Sequence, residues 1–400
     1  MTRVDADVLV VGGGPSGSAT ATWLARQGLD VLVFDRQQFP RDKPCGEGIM
    51  PHGVRMLDEL GVLDRIPEDQ RGWFKGITYV AGSARATGAF PVLDGGYAHG
   101  LGVRRLVLDE VMQAAARDAG VRFAPQGAVT GLVMEGGKPV GITTKAGEVR
   151  GRFIVGADGN RSQTRARLGL DVAPGKRRRY GVRAHLRYDD PSRIGSTVEV
   201  YVTPMGEVYT TPVGPNTLLV ALLLEQQHMD RFGGRLEEAY DAFLHDDPTL
   251  RERFSGGERI SKVMAAGPLA TKSSRPITDG AMLVGDAAGF IDPITGEGIS
   301  IALASARVAA PVIAHALRTG DTSVAALTAY ERERRKEMFN FVLLTYGLLW
   351  LSRFPRLAQW AVGRFHDHPA LFTKLLGINC GHYTFKDVRF REVGQLLLGV

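Results

Sequence analysis

The sequence predicts an α/β protein with a parallel sheet, an inserted second β-sheet and a helical carboxyl-terminal region. At the amino terminus, a strand, a glycine-rich turn, a helix and another strand follow one another. Short continuous apolar runs, typical of strands buried on both faces, recur at 153–156 and 281–284. Residues 180–265 instead show half-buried strand patterns, and the chain after Ile299 is largely helical. Because the first pattern returns after the second, we expect interleaved domains.

The first unit is the most informative part of the chain. Residues 8–11 form a continuous apolar run, and the glycine-rich segment 12–17 follows it. Alanines at helical spacing then predict a helix that stops near Gly28, and a second apolar run ends in Asp35 and Arg36. A strand, turn, helix, strand and acid in this order predict a dinucleotide-binding site.

The glycines of the turn have separate tasks. One permits the tight turn, one lets the backbone approach a pyrophosphate and one lets helix and strand pack closely. Gly12, Gly14 and Gly17 stand at these positions, and the following helix amino terminus offers free N–H groups to phosphate oxygens. Asp35, 21 residues after Gly14, ends the second strand where a carboxylate can accept hydrogen bonds from a ribose.

Two further motifs accompany the glycine turn: VGADGNRS at 155–162 and GDAAGFIDPITGEGI at 285–299. The three motifs together resemble a flavoprotein superfamily that holds FAD in a Rossmann-like domain of the glutathione reductase type. That superfamily includes geranylgeranyl reductases, aromatic hydroxylases (group A flavin monooxygenases) and flavin-dependent halogenases. The resemblance covers most of the first 310 residues. It implies an FAD-dependent oxidoreductase with NADPH or NADH as the electron donor.

The resemblance also implies which residues contact FAD. Asp286 would face the ribityl and pyrophosphate groups, and the helix opened by 296–299 would direct its amino terminus at the isoalloxazine ring, where its dipole would stabilise the anionic reduced flavin. No residue is assigned to a metal. The expected cofactor-binding residues are Gly12, Gly14, Pro15, Ser16, Gly17, Asp35, Arg36, Cys45, Gly46, Arg105, Asp158, Gly159, Gly285, Asp286, Pro293, Gly296, Gly298 and Ile299.

The motif positions suggest where the domains lie. We expect a discontinuous FAD-binding domain from 1–75, 100–180 and 270–325. A substrate-binding β-sheet domain would comprise 76–99 and 181–269, and a helical carboxyl-terminal cap would comprise 326–400.

The segment FPRDKPCGEG at 39–48 and the segment GEGI at 296–299 resemble geranylgeranyl reductases most closely. In such an enzyme a hydride from flavin N5 and a proton add across an apolar alkene. Cys45 is the candidate catalytic residue near the flavin edge, and its alternative interpretation is a small buried hydrophobic residue.

The function that these motifs favour is C=C reduction of a hydrophobic isoprenoid or secondary-metabolite intermediate. The alternative is an FAD-dependent monooxygenase of secondary metabolism, either a hydroxylase or an epoxidase. A flavin-dependent halogenase is less favoured. A non-catalytic prenyl-binding escort protein is the rival from a different class.

The chain departs from the reductase pattern in the predicted substrate sheet. That family tends to have a tryptophan motif ending in Phe-Pro, whereas the corresponding stretch here, 208–212, carries Tyr209. The same change removes the tryptophan signature of halogenases, and Lys75 is the one lysine that we consider halogenase-like. His185, Tyr201 and Tyr209 lie on predicted strands and are candidate polar groups of the substrate pocket.

Composition limits the possible partners and location. The 50 glycines among 400 residues predict many tight turns and close backbone approaches. The net charge of +6 arises from 49 basic and 43 acidic residues spread along the chain, so anionic cofactors explain it and no nucleic acid is expected. Two cysteines cannot form a disulfide framework, and no secretion signal is recognised, so we expect a cytoplasmic protein.

The apolar stretch 339–351 bears on membrane contact. Its 13 residues are fewer than the roughly 20 that span a bilayer. They could instead touch a membrane surface peripherally, cover a hydrophobic substrate or form a buried helix. The expected partner is a hydrophobic small molecule or a carrier-bound substrate, and the expected state is a monomer or homodimer.

Overall fold

The computed structural model describes residues 4–92, 95–125, 127–173, 175, 178–230, 233, 235–389, 391–392 and 394. Its strands, in chain order, are β1 (Ala6–Val11), β2 (Val31–Phe34), β3 (Gly48–Ile49), β4 (Gly72–Phe74), β5 (Gly76–Ala81), β6 (Ala84–Ala89), β7 (Gly100–Gly102), β8 (Arg122–Phe123), β9 (Val129–Glu135), β10 (Lys138–Thr144), β11 (Gly147–Gly156), β12 (Asp171–Val172), β13 (Arg179–Arg187), β14 (Val198–Thr203), β15 (Gly206–Pro212), β16 (Thr217–Glu225), β17 (Glu258–Arg259), β18 (Met264–Ala266), β19 (Lys272–Ser273), β20 (Ile277–Thr278) and β21 (Ala281–Leu283).

Helices cover both sheets and form most of the carboxyl-terminal region. They are α1 (Pro15–Ala25), α2 (Pro51–Glu59), α3 (Arg105–Asp118), α4 (Gln163–Arg167), α5 (Gln226–Asp230), α6 (Leu236–Asp246), α7 (Pro248–Phe254), α8 (Gly298–Thr319), α9 (Val324–Leu351), α10 (Pro355–Asp367) and α11 (Pro369–Asn379). Between β21 and α8 the chain forms single-turn 3₁₀ helices at Gly285–Ala288 and Pro293–Thr295.

The first sheet has the strand order β20-β21-β11-β1-β2-β8, and β1 pairs in parallel with both β2 and β11. The antiparallel hairpin β9-β10 continues from β11. Along β1, Val8 and Val10 belong to the core cluster formed with α8, whereas Leu9 joins the cluster of Ile142 on the hairpin. This sheet is therefore buried on both faces, and the predicted α/β class is confirmed.

The second sheet has the order β17-β13-β16-β15-β14-β5-β6, with β18 also paired to β13. Its pairs are antiparallel except for β5 with β14. One face packs on α6 and α7 through Tyr240, Phe243 and Leu250. The other face packs on α10 and α11 through Val362 and Phe372. The sheet is thus covered on one side by the carboxyl-terminal helices. The domain boundaries given above stay a prediction.

Within the described residues, one helix has the length and apolar composition of a membrane span. This helix is α8, and 61% of its most apolar window is buried inside the protein. Its Ala309, Ala310 and Ile313 pack in the core of the first sheet. Its apolar character is therefore explained by burial in the fold.

Candidate active site

The glycine turn lies at the carboxyl end of β1. A Cβ at Gly12 would overlap the backbone of Ala157, and one at Gly17 would overlap the carbonyl of Gly12. Gly12 also has a φ of 109°, in the region that favours glycine. Strand, turn and helix therefore touch so closely that no side chain fits between them.

The open side of the turn faces positive charge. A Cβ at Gly14 would meet only the guanidinium groups of Arg41 and Arg105, at 3.5 and 3.7 Å, and one at Gly159 would lie 3.4 Å from Lys43 Nζ. Burial, and then the nearby Arg105, lower the pKa of Lys43 below its usual value. Three cations converging on a glycine cradle match the pyrophosphate of FAD, because the phosphate charge would relieve their mutual repulsion.

Carboxylates hold two of these cations in place. Asp109, which is fully buried, accepts two hydrogen bonds of 2.7 Å from Arg105 and lies 3.5 Å from Arg41. Asp35 accepts a 2.8 Å hydrogen bond from the N–H of Gly13, so it orders the turn directly. Arg36 is exposed to solvent.

The other two motifs lie at the same edge of the first sheet. Asp158, after β11, accepts hydrogen bonds from the Ser162 hydroxyl and from Thr164 N, and so shapes its own loop. Asp286 follows β21, where burial raises the pKa of its carboxyl and the nearby cations Lys43 and Arg105 oppose that rise. Asp286 therefore belongs to the same charged region as the glycine turn.

The segment before α8 forms an open wall. Pro293 begins a single 3₁₀ turn, and Gly296 ends it with a φ of 70°. A Cβ at Gly296 would meet only Met50 Cε at 3.4 Å, and one at Gly298 only Phe290 at 3.7 Å. Ile299 points into the core. The amino terminus of α8 is thus free of bulky side chains, as an approaching isoalloxazine ring would require.

A buried hydrogen-bond network holds the loop that contains Cys45. Glu47 Oε2 lies 2.8 Å from His185 Nε2, and its Oε1 accepts a 3.0 Å hydrogen bond from Arg105 N. His185 Nδ1 in turn lies 3.0 Å from the Ser261 hydroxyl. Cys45 is half-buried beside this network, and its Sγ lies 3.4 Å from Glu47 N. The network joins the second sheet to the loop and to α3.

An apolar cavity of about 90 Å³ lies between the second sheet and the carboxyl-terminal helices. Its walls come from β5, β14 and β15, from α9, α10 and α11, and from Ile294 and Thr295 just before α8. We call it the apolar cavity; it is lined by Ile77, Tyr79, Val200, Val202, Glu207, Tyr209, Ile294, Thr295, Leu344, Leu348, Leu351, Ser352, Ala358, Val362, Phe365, Phe372, Leu375, Leu376 and Asn379.

The three predicted pocket residues occupy different places. Tyr209 lines the apolar cavity and donates a 3.1 Å hydrogen bond to the carbonyl of Ile294. Tyr201 lies on the opposite face of the sheet, in the core with α7, where its hydroxyl donates to Glu199. His185 is fully buried in the Glu47 network. Of the three, only Tyr209 reaches the cavity.

Sequence reasoning named neither Arg41 nor Lys43, although both lie in the segment that carried the reductase resemblance. It also left out Glu47 and Glu297, each of which stands between two glycines in a quoted motif. Because both glutamates stand in glycine-rich segments near the proposed flavin, the sequence alone could have identified them as candidate site residues. Arg179, part of a basic run that extends into the undescribed residues 176–177, forms a buried ion pair with Asp292.

Comparison with known proteins fits this geometry. A family model described as an FAD binding domain matches residues 5–342. Digeranylgeranylglycerophospholipid reductase of Methanocella arvoryzae is 30% identical over 344 residues, covering 83% of each chain. Menaquinone reductase of Mycobacterium tuberculosis is 31% identical over 321 residues, which are 77% of this chain and 76% of that one.

Solved structures show the same fold. A flavoprotein/dehydrogenase of Cytophaga hutchinsonii superposes with a TM-score of 0.81 at 24% identity, covering 94% of this chain and 93% of that one. A myxobacterial chondrochloren halogenase superposes with a TM-score of 0.76 at 23% identity, covering 85% and 81%. From the motifs, the cation-lined cradle and the family match, the chain belongs to the FAD binding domain family and is an FAD-dependent oxidoreductase of the geranylgeranyl reductase-like branch.

Proposed function

We propose that the protein reduces carbon–carbon double bonds of an apolar isoprenoid substrate, with bound FAD and with NADPH or NADH as the electron donor. The observation that carries this proposal is the apolar cavity, which touches Ile294 and Thr295 of the segment that the resemblance assigns to the isoalloxazine ring. Relatives named as reductases of a digeranylgeranyl lipid and of menaquinone support a long apolar substrate.

The residues of the chain hold the alkene in a water-poor space. When bound, FAD would supply the hydride for the reduction. Burial raises the pKa of Tyr79 to about 12 and the pKa of Tyr209 well above its usual value, so both phenols keep their protons. The hydrogen bond from Tyr209 to Ile294 fixes the cavity wall against the segment before α8.

A buried ion-pair group fixes the same wall from behind. Arg179 pairs with Asp292 at 2.8 Å and also with Glu207, which lines the apolar cavity. Asp292 in turn accepts a 3.1 Å hydrogen bond from Ile294 N. Because these residues join β13, β15 and the segment before α8, they position the substrate wall relative to the expected flavin.

The structure offers little support for halogenation. Lys75, the one lysine that we considered for it, is exposed, and its backbone N–H bonds to Ser196. No lysine is among the residues that line the apolar cavity. A chlorinase of a pyrrole-carbonyl carrier protein from Pseudomonas fluorescens is nevertheless 25% identical over 385 residues. The experiment described next therefore also distinguishes alkene reduction from a reaction that needs oxygen.

The test is anaerobic re-oxidation of the reduced enzyme. Flavin bound to the protein is reduced with NADPH or NADH, and a geranylgeranyl lipid is then added without oxygen. The proposal expects the flavin absorbance to return, and expects no return with the fully saturated lipid. Re-oxidation that needs oxygen together with substrate would favour a monooxygenase. Failure to bind flavin would favour the escort-protein interpretation.

A matched pair of variants connects this reaction to the cavity. Leu348→Trp places a bulky ring in the apolar cavity, whereas Leu343→Trp adds the same ring on the exposed side of the same helix. We expect about a tenfold or greater rise in KM for the first variant and little change for the second, because overfilling excludes the substrate. Equal changes in KM for the two variants would show that the substrate does not bind in this cavity.

We also propose that the protein works in the cytoplasm at an anionic membrane surface. Between 338 and 366 the chain has no acidic residue, whereas Arg353 and Arg356 are exposed. Aromatic residues beside cations suit a negatively charged lipid surface. The opposite side of α9 lines the apolar cavity, so a lipid would travel only a short distance from the membrane surface to the cavity. The exposed apolar stripe comprises Phe339, Leu343, Tyr346, Trp350 and Phe354.

Vesicle binding tests this surface. We expect the protein to sediment with phosphatidylglycerol vesicles but much less with phosphatidylcholine vesicles. Trp350→Glu should weaken that sedimentation, whereas Trp73→Glu, an exposed tryptophan on β4, should not. Unchanged sedimentation of Trp350→Glu would overturn the membrane proposal. A homodimer that Trp350→Glu dissociates would instead assign the stripe to a second copy of the chain.

A further inference from the structure

A second cavity, which we call the polar cavity because ionisable side chains line both of its ends, lies beside the apolar cavity. It has a volume of about 70 Å³ and lies between α8, α9 and the end of α11. His52 and Glu297 line it at one end, and Arg334 and Glu337 of α9 line it at the other. Asn379 lines both this polar cavity and the apolar cavity. The two spaces are therefore neighbours that share a wall.

The polar cavity contains buried polar atoms without hydrogen-bond partners. Glu297 is 1% exposed, and neither of its carboxylate oxygens has a partner of normal geometry among the described residues. Its nearest ionisable neighbour is His52, whose Nε2 lies 3.4 Å away. Asn379 Oδ1, in the wall that the two cavities share, and Thr295 Oγ1, in the wall of the apolar cavity, are likewise buried without partners. Such atoms are rare in folded proteins, and those in cavities are commonly bridged by water.

The environment keeps the pair uncharged. Burial raises the pKa of Glu297 well above its usual value, and the Ser300 hydroxyl opposes this only in part. Burial, together with Arg55 and Arg307, lowers the pKa of His52 to about 4. These two shifts favour a protonated carboxyl group at Glu297 beside a neutral imidazole at His52.

The remaining ionisable groups around the pair do not remove this proton. Arg334 and Glu337 lie at the α9 end of the cavity, and Glu337 is exposed. Cys380, after α11, stays a thiol because burial raises its pKa. Glu297 is thus a stored proton next to a cavity that connects toward solvent.

We propose that Glu297 supplies the proton that completes alkene reduction, and that the Thr295 hydroxyl, two residues before it in the wall of the apolar cavity, passes this proton to the substrate. This inference rests on the proposed function. One alkene carbon receives the hydride and the other receives the proton, so the π bond is replaced by two C–H bonds. Glu297 is left as a carboxylate and regains its proton from water through His52.

Two other polar groups of the apolar cavity are already engaged in contacts. Glu207 lines the cavity but is ion-paired with Arg179. The Tyr209 hydroxyl already donates a hydrogen bond to the carbonyl of Ile294. Thr295 lines the apolar cavity, follows Ile294 directly and has a hydroxyl that both donates and accepts, so it can relay a proton without holding charge.

The kinetic test uses matched substitutions in the flavin-loaded protein. Glu297→Gln keeps the shape of the side chain but removes the acidic proton, and should lower the rate of alkene reduction by about 10²-fold or more. Thr295→Val should act in the same direction, and Thr295→Ser should restore the rate. Glu337→Gln, at the other end of the same cavity, is the control. Reduction of the flavin by NADPH or NADH, measured separately in each variant, distinguishes a lost proton step from a lost flavin site.

A second readout does not depend on turnover. In the flavin-free protein at pH 7, the infrared spectrum should contain the carbonyl band of a buried protonated carboxyl group. The band should disappear in Glu297→Gln and persist in Glu337→Gln. Its absence from the wild-type protein, or full alkene reduction by Glu297→Gln, would overturn the inference. A wild-type protein that reduces no alkene would overturn the proposed function, while the band still reports separately on the stored proton.

Discussion

Two Gly-Glu-Gly segments, at 46–48 and 296–298, place their glutamates in opposite surroundings. Glu47 and Glu297 are both 1% exposed, and each lies next to a histidine. Glu47 engages His185 at 2.8 Å and the backbone N–H of Arg105 at 3.0 Å. Glu297 lies 3.4 Å from His52, and neither of its oxygens has a partner of normal geometry among the described residues.

This difference distinguishes a structural carboxylate, Glu47, from the carboxyl group that we propose as the proton donor, Glu297. Glu47 has a φ of 57°, which is strained for a residue with a side chain, and its two hydrogen bonds hold that conformation. Glu297 has no comparable support, because the Ser300 hydroxyl and the His52 ring at 3.4 Å offset the cost of its burial only in part. Groups buried at such a cost commonly mark functional sites, because their pKa values are shifted for chemistry.

The largest expected effect is on the stability of the Glu47 network. Glu47→Ala leaves His185 and Arg105 N without their buried partner, and should lower the free energy of unfolding by about 3 kcal/mol or more. Urea unfolding measures this change, and Glu59→Ala on the surface of α2 is the control. A loss below about 1 kcal/mol would contradict the structural role of Glu47.

The second effect concerns acid and His52. The pKa of His52 is about 4 in the folded protein and 6.5 when unperturbed, so the unfolded state binds the proton first as the pH falls. Stability should therefore decline between pH 6.5 and pH 4, by about 3 kcal/mol in total from this group.

His52→Gln should remove that part of the acid sensitivity, as measured by urea unfolding at several pH values. His366→Gln changes an exposed histidine and should leave the pH profile unaltered. If both variants behave like the wild-type protein, His52 does not titrate in the way that its burial implies.

A smaller effect of opposite sign is expected for Glu297. Because its pKa is raised in the folded protein, the native state keeps a proton that the unfolded chain releases, and stability falls as the pH rises above 4.5. Glu297→Gln should therefore increase the free energy of unfolding at pH 8 by about 1 kcal/mol or more, and change it little at pH 4. A destabilised variant at pH 8 would place Glu297 with Glu47 as a structural residue.

The smallest effect is expected at the outer end of the Glu47 network. Ser261 accepts a 2.9 Å hydrogen bond from His185 N and also lies 3.0 Å from Nδ1 of that ring. Ser261→Ala should lower the free energy of unfolding by about 1 kcal/mol. Thermal unfolding measures it, with Ser192→Ala, on an exposed turn, as the control. If Ser261→Ala lowers the free energy of unfolding as much as Glu47→Ala does, the stability of the network depends on the serine as strongly as on the glutamate.

The sequence was sufficient for the first sheet, because its motifs are local. The strand, turn and helix at the amino terminus need only neighbouring residues to be recognised, and a dinucleotide-binding site followed from them. The two later motifs then indicated FAD by their resemblance to flavoproteins. Pairings between distant residues were not predictable in this way. Glu47 and His185 are 138 positions apart, and nothing in either segment indicates the other.

The substrate sheet shows a second limit. Tyr201 and Tyr209 are both tyrosines on adjacent strands, but Tyr209 pairs with Val200, so the two tyrosines point to opposite faces. A register shift of one residue would exchange their roles, and the sequence pattern alone does not fix it. The packing of α9, α10 and α11 on one face of the sheet determines where the apolar cavity lies.

The most direct test of the account is the product of a single anaerobic turnover. Reduced, flavin-loaded protein is mixed with a geranylgeranyl lipid in the absence of oxygen, and the mass of the lipid is then measured by mass spectrometry. We predict that each reacted double bond gains two hydrogens and no oxygen or halogen. A lipid that stays unchanged until oxygen is admitted, and then gains oxygen, would contradict reduction as the reaction of this site.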